Sequence, residues 1–169
     1  MSAFEDDTIC AIATGSARGG IGIIRVSGPK TPYISKQILG FEPRPRFAHS
    51  CNFLGVDGAV VDSGVAIFFK GPNSFTGEDT LELQGHGGLF ILKEILGTVL
   101  SLNARLARPG EFTERSFLNG KIDLLQAEAI ADLIEAGTKQ LARSATRTLQ
   151  GEFSARIRAL QEQLTHTRV

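Results

Sequence analysis

"TLELQGHGGLFILKEILGTVL", residues 80–100, decides the fold, because a strand, a glycine-rich turn and a helix follow one another in it. Apolar and polar residues alternate in TLELQ, which predicts a strand with Leu81 and Leu83 on its core side. Glu82 then lies at the centre of the opposite side, where we expect solvent or a ligand. GHGG predicts a turn, and the helical spacing of the next apolar residues predicts a helix over 89–102. These residues are Leu89, Leu92, Leu96 and Val99.

More strands are predicted on the N-terminal side of this stretch. The segments with strand character are 8–14, 21–27, 49–55 and 60–70, and a short helix is predicted over 34–39. The segment 60–70 is apolar on both faces, with Val65 and Ile67 on one and Ala66 and Phe68 on the other. We therefore expect a central strand that is covered on both sides.

The C-terminal third of the chain has helical character. Residues 104–121 are predicted to be irregular with one helical turn, and Asp123 with Gln126 forms a capping pair that begins a helix ending near Ala136. A second, long helix is predicted after a short interruption, with one apolar stripe that needs a partner in a longer chain or an oligomer. The stripe consists of Leu141, Ala145, Leu149, Phe153, Ile157, Leu160 and Leu164.

Together these patterns predict an α+β protein. A mixed-sheet domain is expected over residues 1–119, followed over 120–169 by the opening helices of an all-helical domain. The charge distribution supports two parts. The chain has no net charge, but residues 138–169 hold six cations and two anions, or +4, which leaves −4 on the rest.

Composition narrows the functional classes. A pI of 6.8 and zero net charge do not indicate a strongly basic nucleic-acid-binding surface. Cys10 and Cys51 lie outside any CxxC pattern, so we expect reduced thiols in a reducing compartment. No apolar run approaches the ~18 residues of a membrane span, and the acidic start lacks the features of a secretory signal. These observations predict a cytoplasmic protein without a membrane partner.

A glycine-rich segment, TGSARGGIGIIRVSG at 14–28, invites comparison with phosphate-binding loops. Gly15 and Gly20 have the spacing of GxxxxGK[ST], but Ile21 and Gly22 replace the lysine and the hydroxyl residue that such a loop needs. The dinucleotide fingerprint fails as well, because Arg25 stands where its third glycine belongs. We expect a turn before a buried strand.

Arg25 and Glu82 are the candidate site residues, because each is a charge inside a predicted strand and must be matched. They form a structural salt bridge or they line a ligand site. A carboxylate can grip a flat heterocycle that presents adjacent N–H donors, and an arginine matches a carboxylate or carbonyl. The pair therefore suits a ligand with a donor edge at one end and anionic groups elsewhere.

His86 and the C-terminal cations carry weaker signals. No second histidine or cysteine stands at ligand spacing from His86, so we favour a turn histidine with a local hydrogen bond over a zinc ligand. The cations from Lys139 to Arg168 are interpreted as a solvated helix face rather than an RNA-binding surface.

Three segments resemble the N-terminal part of the MnmE (TrmE) family of tRNA-modification GTPases. They are GSARGGIGIIRVSGPK, GPNSFTGEDTLELQGHGG and RLARPGEFTERSFLNGKIDLLQAEAIADLI. The resemblance implies a tetrahydrofolate-binding domain and then a helical domain that receives a Ras-like GTPase domain beyond this chain. It also implies that Arg25, Glu82 and Lys121 bind 5-formyltetrahydrofolate or a related tetrahydrofolate.

The resemblance further implies a reaction and partners. The family adds an aminomethyl or carboxymethylaminomethyl group to C5 of the wobble uridine of tRNA, together with the flavin-dependent MnmG (GidA). Its N-terminal domains form a homodimer, and GTP, magnesium and potassium act in the GTPase domain. Since GxxxxGK[ST] is absent, we expect this chain to bind folate and dimerise without catalysis of its own. The alternative is a purely structural scaffold for dimerisation and for docking of tRNA or a partner.

Overall fold

A computed structural model describes residues 7–15 and 19–167. It divides into two units, 1–112 and 113–169. The segment 16–18 of the glycine-rich loop lies outside the described residues. No helix in the described part of the chain has the length and apolar character needed to cross a membrane.

The first unit contains a mixed sheet, which confirms the predicted α+β class. Its strands are β1 (Ile9–Ile12), β2 (Ile21–Ser27), β3 (Ala48–Leu54), β4 (Val60–Phe69), β5 (Thr80–His86) and β6 (Arg105–Leu106). They are arranged in the order β3-β4-β5-β2-β1-β6. β6 pairs parallel with β1, and the other neighbours are antiparallel. The two-residue β6 was not predicted, since it is too short to show an alternating pattern.

Two helices, α1 (Thr31–Leu39) and α2 (Leu89–Ser101), pack on one face of the sheet. Leu81 and Leu83 are buried in that core as predicted, together with Leu92 and Val99 of α2. The helix predicted over 89–102 is confirmed as α2, although Leu89 itself is 57% exposed. Leu89 is the first residue of α2, and the buried face of the helix begins one turn later.

The opposite face of the sheet is only partly covered. Ala66 and Phe68 of β4 are buried in the core, whereas Val65, Ile67 and Phe69 are half-buried. The prediction that β4 is covered on both sides therefore holds for one side only. Both α1 and α2 pack on the face that carries Ala66 and Phe68. Arg25 and Glu82 belong to this open face, because they alternate along β2 and β5 with buried residues.

The second unit is helical. Its elements are α3 (Glu111–Leu118, which begins in the first unit), α4 (Leu124–Glu135), α5 (Lys139–Leu149) and α6 (Glu152–Thr167). The capping box is confirmed, because the Gln126 backbone N–H donates to Asp123 and the Asp123 N–H donates back to Gln126, each at 2.9 Å. The domain boundary at residue 119 stays a prediction, since α3 runs across the division between the units.

Two predictions for this region were wrong. Residues 104–121 are more regular than expected, because they contain β6 and the two turns of α3. The long C-terminal helix is interrupted between α5 and α6, where Gly151 has a φ of 83°, a conformation that ends helices. Of the predicted stripe, Ala145 is buried, while Leu141, Phe153, Ile157 and Leu160 are exposed.

Candidate functional site

Arg25 and Glu82 contact each other directly across neighbouring strands. They are register partners of β2 and β5, so the pairing of the strands places their side chains side by side. Arg25 donates from Nε at 2.9 Å and from Nη2 at 2.6 Å, both to Oε1 of Glu82. The side chains are 29% and 16% exposed. This is the contact that the salt-bridge alternative predicts, and the ligand role stays a prediction.

The pair keeps binding capacity after this contact. Within the described residues, Glu82 Oε2 and Arg25 Nη1 make no hydrogen bond. The Arg25 guanidinium also lies 5.9 Å from the ring centroid of Phe75 and 5.6 Å from that of Phe112, within the range of cation–π contacts. A ligand would therefore meet one carboxylate oxygen, one guanidinium nitrogen and two aromatic rings.

This geometry limits how Glu82 can hold a donor edge. Oε1 already accepts two N–H groups and so uses its two lone pairs on Arg25. Oε2 retains both of its own. A ligand with adjacent donors can bind to Oε2 while the ion pair stays intact, whereas a two-oxygen grip requires an Arg25 N–H to leave Oε1.

Phe112 is positioned by a charged cluster at its neighbour in the chain, Glu111. The Glu111 side chain is fully buried, and it accepts hydrogen bonds from Arg105 Nη1 at 2.9 Å and from the Arg108 backbone N–H at 2.7 Å. Arg105 also donates to Asp7 at 2.7 Å. Hydrogen bonds to Glu111 and then to Asp7 raise the pKa of Arg105, so its guanidinium stays charged and can hold Glu111 at the start of α3.

The two aromatic neighbours were not identified from the sequence. Phe75 lies in the turn-forming segment 71–79, and Phe112 lies in the segment that was predicted to be irregular. A large apolar residue in a polar turn was the available signal, but it did not reveal which charge the ring approaches.

Lys121, the third predicted residue, belongs to the second unit, whereas Arg25 and Glu82 belong to the first. It follows α3, and its backbone N–H donates to the Ser116 carbonyl at 2.8 Å. Lys121 is exposed. The predicted role of Lys121 in folate binding stays a prediction.

His86 is held by a carboxylate that is distant in sequence, so the predicted local hydrogen bond was wrong. Asp62 on β4 contacts His86 Nδ1 at 2.7 Å and accepts the His86 backbone N–H at 2.8 Å. Burial raises the pKa of Asp62, but the hydrogen bonds from His86 and from the Ser63 backbone outweigh it and leave the pKa below its ordinary value. The signal that was missed is Asp62 itself, a charge inside the strand pattern VVDSGV.

The remaining candidates fit structural roles. Within the described residues, no three His, Cys, Asp or Glu side chains cluster so that they could hold a metal ion. Cys10 and Cys51 are free thiols, and burial raises the pKa of Cys10 to about 12. Among the C-terminal cations, Arg147 pairs with Glu152 at 2.9 Å on the helix surface.

Two family models match successive parts of the chain. Residues 8–121 match the family described as the GTP-binding protein TrmE N-terminus, and residues 124–169 match the MnmE helical domain. Proteins named tRNA modification GTPase MnmE are 57% identical over all 169 residues in Saccharophagus degradans and in Hydrogenovibrio crunogenus. A Marinomonas protein of the same name is 56% identical over 99% of the chain.

The chain spans only 36–38% of the length of these relatives. Their identity nevertheless extends along the whole chain, and the first family match includes every residue of the sheet described above. The resemblance seen in the sequence is thereby confirmed, and the chain belongs to the MnmE family of tRNA modification GTPases.

Proposed function

We propose that this chain is the folate-binding and dimerisation region of a tRNA-modifying GTPase. The observation that carries the proposal is the Arg25–Glu82 pair, which leaves Glu82 Oε2 without a hydrogen bond among the described residues. A reduced pterin presents adjacent N–H donors along one edge, and a carboxylate oxygen is a strong acceptor for them. The rings of Phe75 and Phe112 supply apolar surface for a flat ligand.

The ligand we propose is 5-formyltetrahydrofolate or a related tetrahydrofolate. Glu82 would accept from its donor edge, while Arg25 and Lys121 would serve its carbonyl and anionic groups. The one-carbon unit of the folate would supply the carbon added to tRNA. The chain's own part is to bind and orient this molecule.

The remaining features of the proposal concern the whole protein. The product would carry an aminomethyl or carboxymethylaminomethyl group at C5 of the wobble uridine, and the flavin-dependent MnmG would be the partner. GTP, magnesium and potassium would act in a GTPase domain outside this chain. The partly covered face of the sheet supports dimerisation through this region, and the setting would be the cytoplasm.

Calorimetric titration of the chain with 5-formyltetrahydrofolate tests this function. We expect saturable heat, and a Lys121→Gln variant should bind more weakly, whereas Lys93→Gln, which removes an exposed cation from α2, should bind normally. Sedimentation at several concentrations should show a dimer. No heat at high micromolar ligand, with circular dichroism showing a folded chain, would exclude the folate role.

A second function is favoured by the direct contact between the two side chains. If the ion pair only joins β2 to β5, the region is a structural scaffold for dimerisation and for docking of tRNA or a partner. A chain that dimerises without binding folate would support that function.

A further inference from the structure

A basic and aromatic surface lies where the chain enters the edge strand β3. We call it the arginine rim and define it as Arg44, Arg46, Phe47 and His49. The Arg44 guanidinium lies 5.5 Å from the ring centroid of Phe47, and that ring meets the His49 ring edge-on at 4.8 Å. The rim therefore presents guanidinium and aromatic groups in one layer.

Backbone contacts hold the rim in a fixed shape. The Arg46 N–H donates to the Phe68 carbonyl at 2.8 Å, and the Arg44 N–H donates to His49 Nε2 at 3.0 Å. Arg46 has a φ of 60°, which is uncommon for a residue other than glycine, and its Nη2 donates to the Asn73 carbonyl at 2.7 Å. Since these groups are placed before any partner arrives, binding would cost little ordering entropy.

The two guanidinium groups are not neutralised by acids. Within the described residues, neither Arg44 nor Arg46 forms an ion pair. The acidic residue that precedes them, Glu42, pairs instead with Lys36 at 3.1 Å. Phe47 is 51% exposed. Two unneutralised cations beside an exposed ring are the groups that bind phosphates and stack on bases in single-stranded nucleic acids.

We propose that the arginine rim binds single-stranded RNA, with Arg44 and Arg46 at the phosphates and Phe47 against a base. The choice of RNA rests on the proposed function in tRNA modification, and an unpaired loop is the part of an RNA whose bases can stack on protein rings. The chain as a whole has no net charge, so local groups must provide the attraction, and binding should weaken as salt rises.

Fluorescence anisotropy tests this proposal with the 169-residue chain, a labelled oligouridine of about 12 nucleotides and an RNA duplex of about 12 base pairs, lengths within the range that such binding sites cover. We expect tighter binding to the single strand, because the duplex hides its base faces. Phe47→Leu keeps apolar bulk but removes the ring and should weaken binding about 5- to 100-fold, whereas Phe47→Trp should retain it. Phe90→Leu, at an exposed ring of α2, is the matched control.

The phosphate contacts are tested by the salt dependence of binding. Arg44→Gln combined with Arg46→Gln should lower the slope of log affinity against log salt concentration by about 1.4, or about 0.7 for each phosphate that is no longer neutralised.

Thermal melting and folate titration of the same variants separate the possible failures. Variants that melt normally and bind folate but not RNA support the rim and leave the folate site unaffected. Equal binding to duplex and single strand, or unchanged binding by Phe47→Leu, would overturn the proposal. An equal loss of RNA binding in Arg143→Gln on α5 would also overturn it. So would a polyglutamate peptide that binds as tightly as the RNA and whose binding Phe47→Leu leaves unchanged. Loss of folate binding by the unaltered chain would count against the proposed function alone.

Discussion

A double-mutant cycle on Arg25 and Glu82 separates a ligand site from a structural ion pair. The variants are Arg25→Gln, Glu82→Gln and the two combined, and each is measured for its free energy of unfolding and its affinity for 5-formyltetrahydrofolate. Glutamine keeps the approximate size of both side chains while it removes their charges. Any interaction between the two groups then appears as a departure from additivity.

The size of each effect follows from the geometry of the pair. The ion pair comprises two charge-assisted hydrogen bonds on one carboxylate oxygen, at 2.9 and 2.6 Å. Both side chains retain some solvent exposure, which screens their attraction, so we expect a coupling of about 0.5–1.5 kcal/mol in unfolding. Loss of the Glu82 carboxylate from a bound donor edge should cost about 2–4 kcal/mol of folate affinity. That is roughly a 30- to 1000-fold increase in Kd.

Urea unfolding followed by circular dichroism gives the first quantity, and calorimetry at fixed ionic strength gives the second. Glu94→Gln is the matched control, since it makes the same change at an exposed residue of α2. Its affinity and stability should stay near those of the unaltered chain. The result that refutes the ligand role is a normal coupling in unfolding together with a folate Kd that changes less than about twofold in Glu82→Gln.

Two further predictions concern stability. Gly64→Ala should destabilise the chain by about 2 kcal/mol or more, because its Cβ would clash with the Gln84 carbonyl oxygen. Gly97→Ala in α2, where the added Cβ would meet open space, should instead stabilise the chain by about 0.5–1 kcal/mol. Equal effects in urea unfolding would contradict this explanation. Asp62→Asn should flatten the acid dependence of stability as pH falls below the ordinary aspartate pKa of 3.8. The pKa of Asp62 is lower in the folded than in the unfolded chain, so its carboxylate stabilises the fold at pH values above the unfolded-state pKa. This stabilisation is lost as pH falls through the folded-state pKa. An unchanged pH profile would show that the contact with His86 contributes nothing.

Local sequence patterns predicted the elements whose conformation depends mainly on their own residues. Alternation in TLELQ identified β5 and its buried face, because one side of that strand packs against helices. Asp123 and Gln126 identified the start of α4, since a capping box satisfies the helix terminus within four residues. These signals need no information from distant parts of the chain.

Features that depend on distant residues were not predictable in this way. β6 exists because Arg105 and Leu106 pair with β1, almost a hundred residues away, and neither residue carries a strand signal. The acid beside His86 comes from another strand for the same reason. The break at Gly151 is different, since the stripe was continuous in periodicity and only the glycine indicated that the helix could end.

The candidate site depends both on local alternation within strands and on the pairing of strands that are distant in sequence. Alternation places Arg25 on one face of β2 and Glu82 on one face of β5, but only the register of the pair makes them neighbours. A slip by one residue would move either charge to the core face, where burial without a partner is costly. Gly64 lets β4 approach the backbone of β5 at Gln84, two residues from Glu82. A side chain at position 64 should therefore disturb the ion pair as well as the stability of the sheet. Loss of folate binding in a Gly64→Ala chain that still folds would show that the site depends on the packing of these strands.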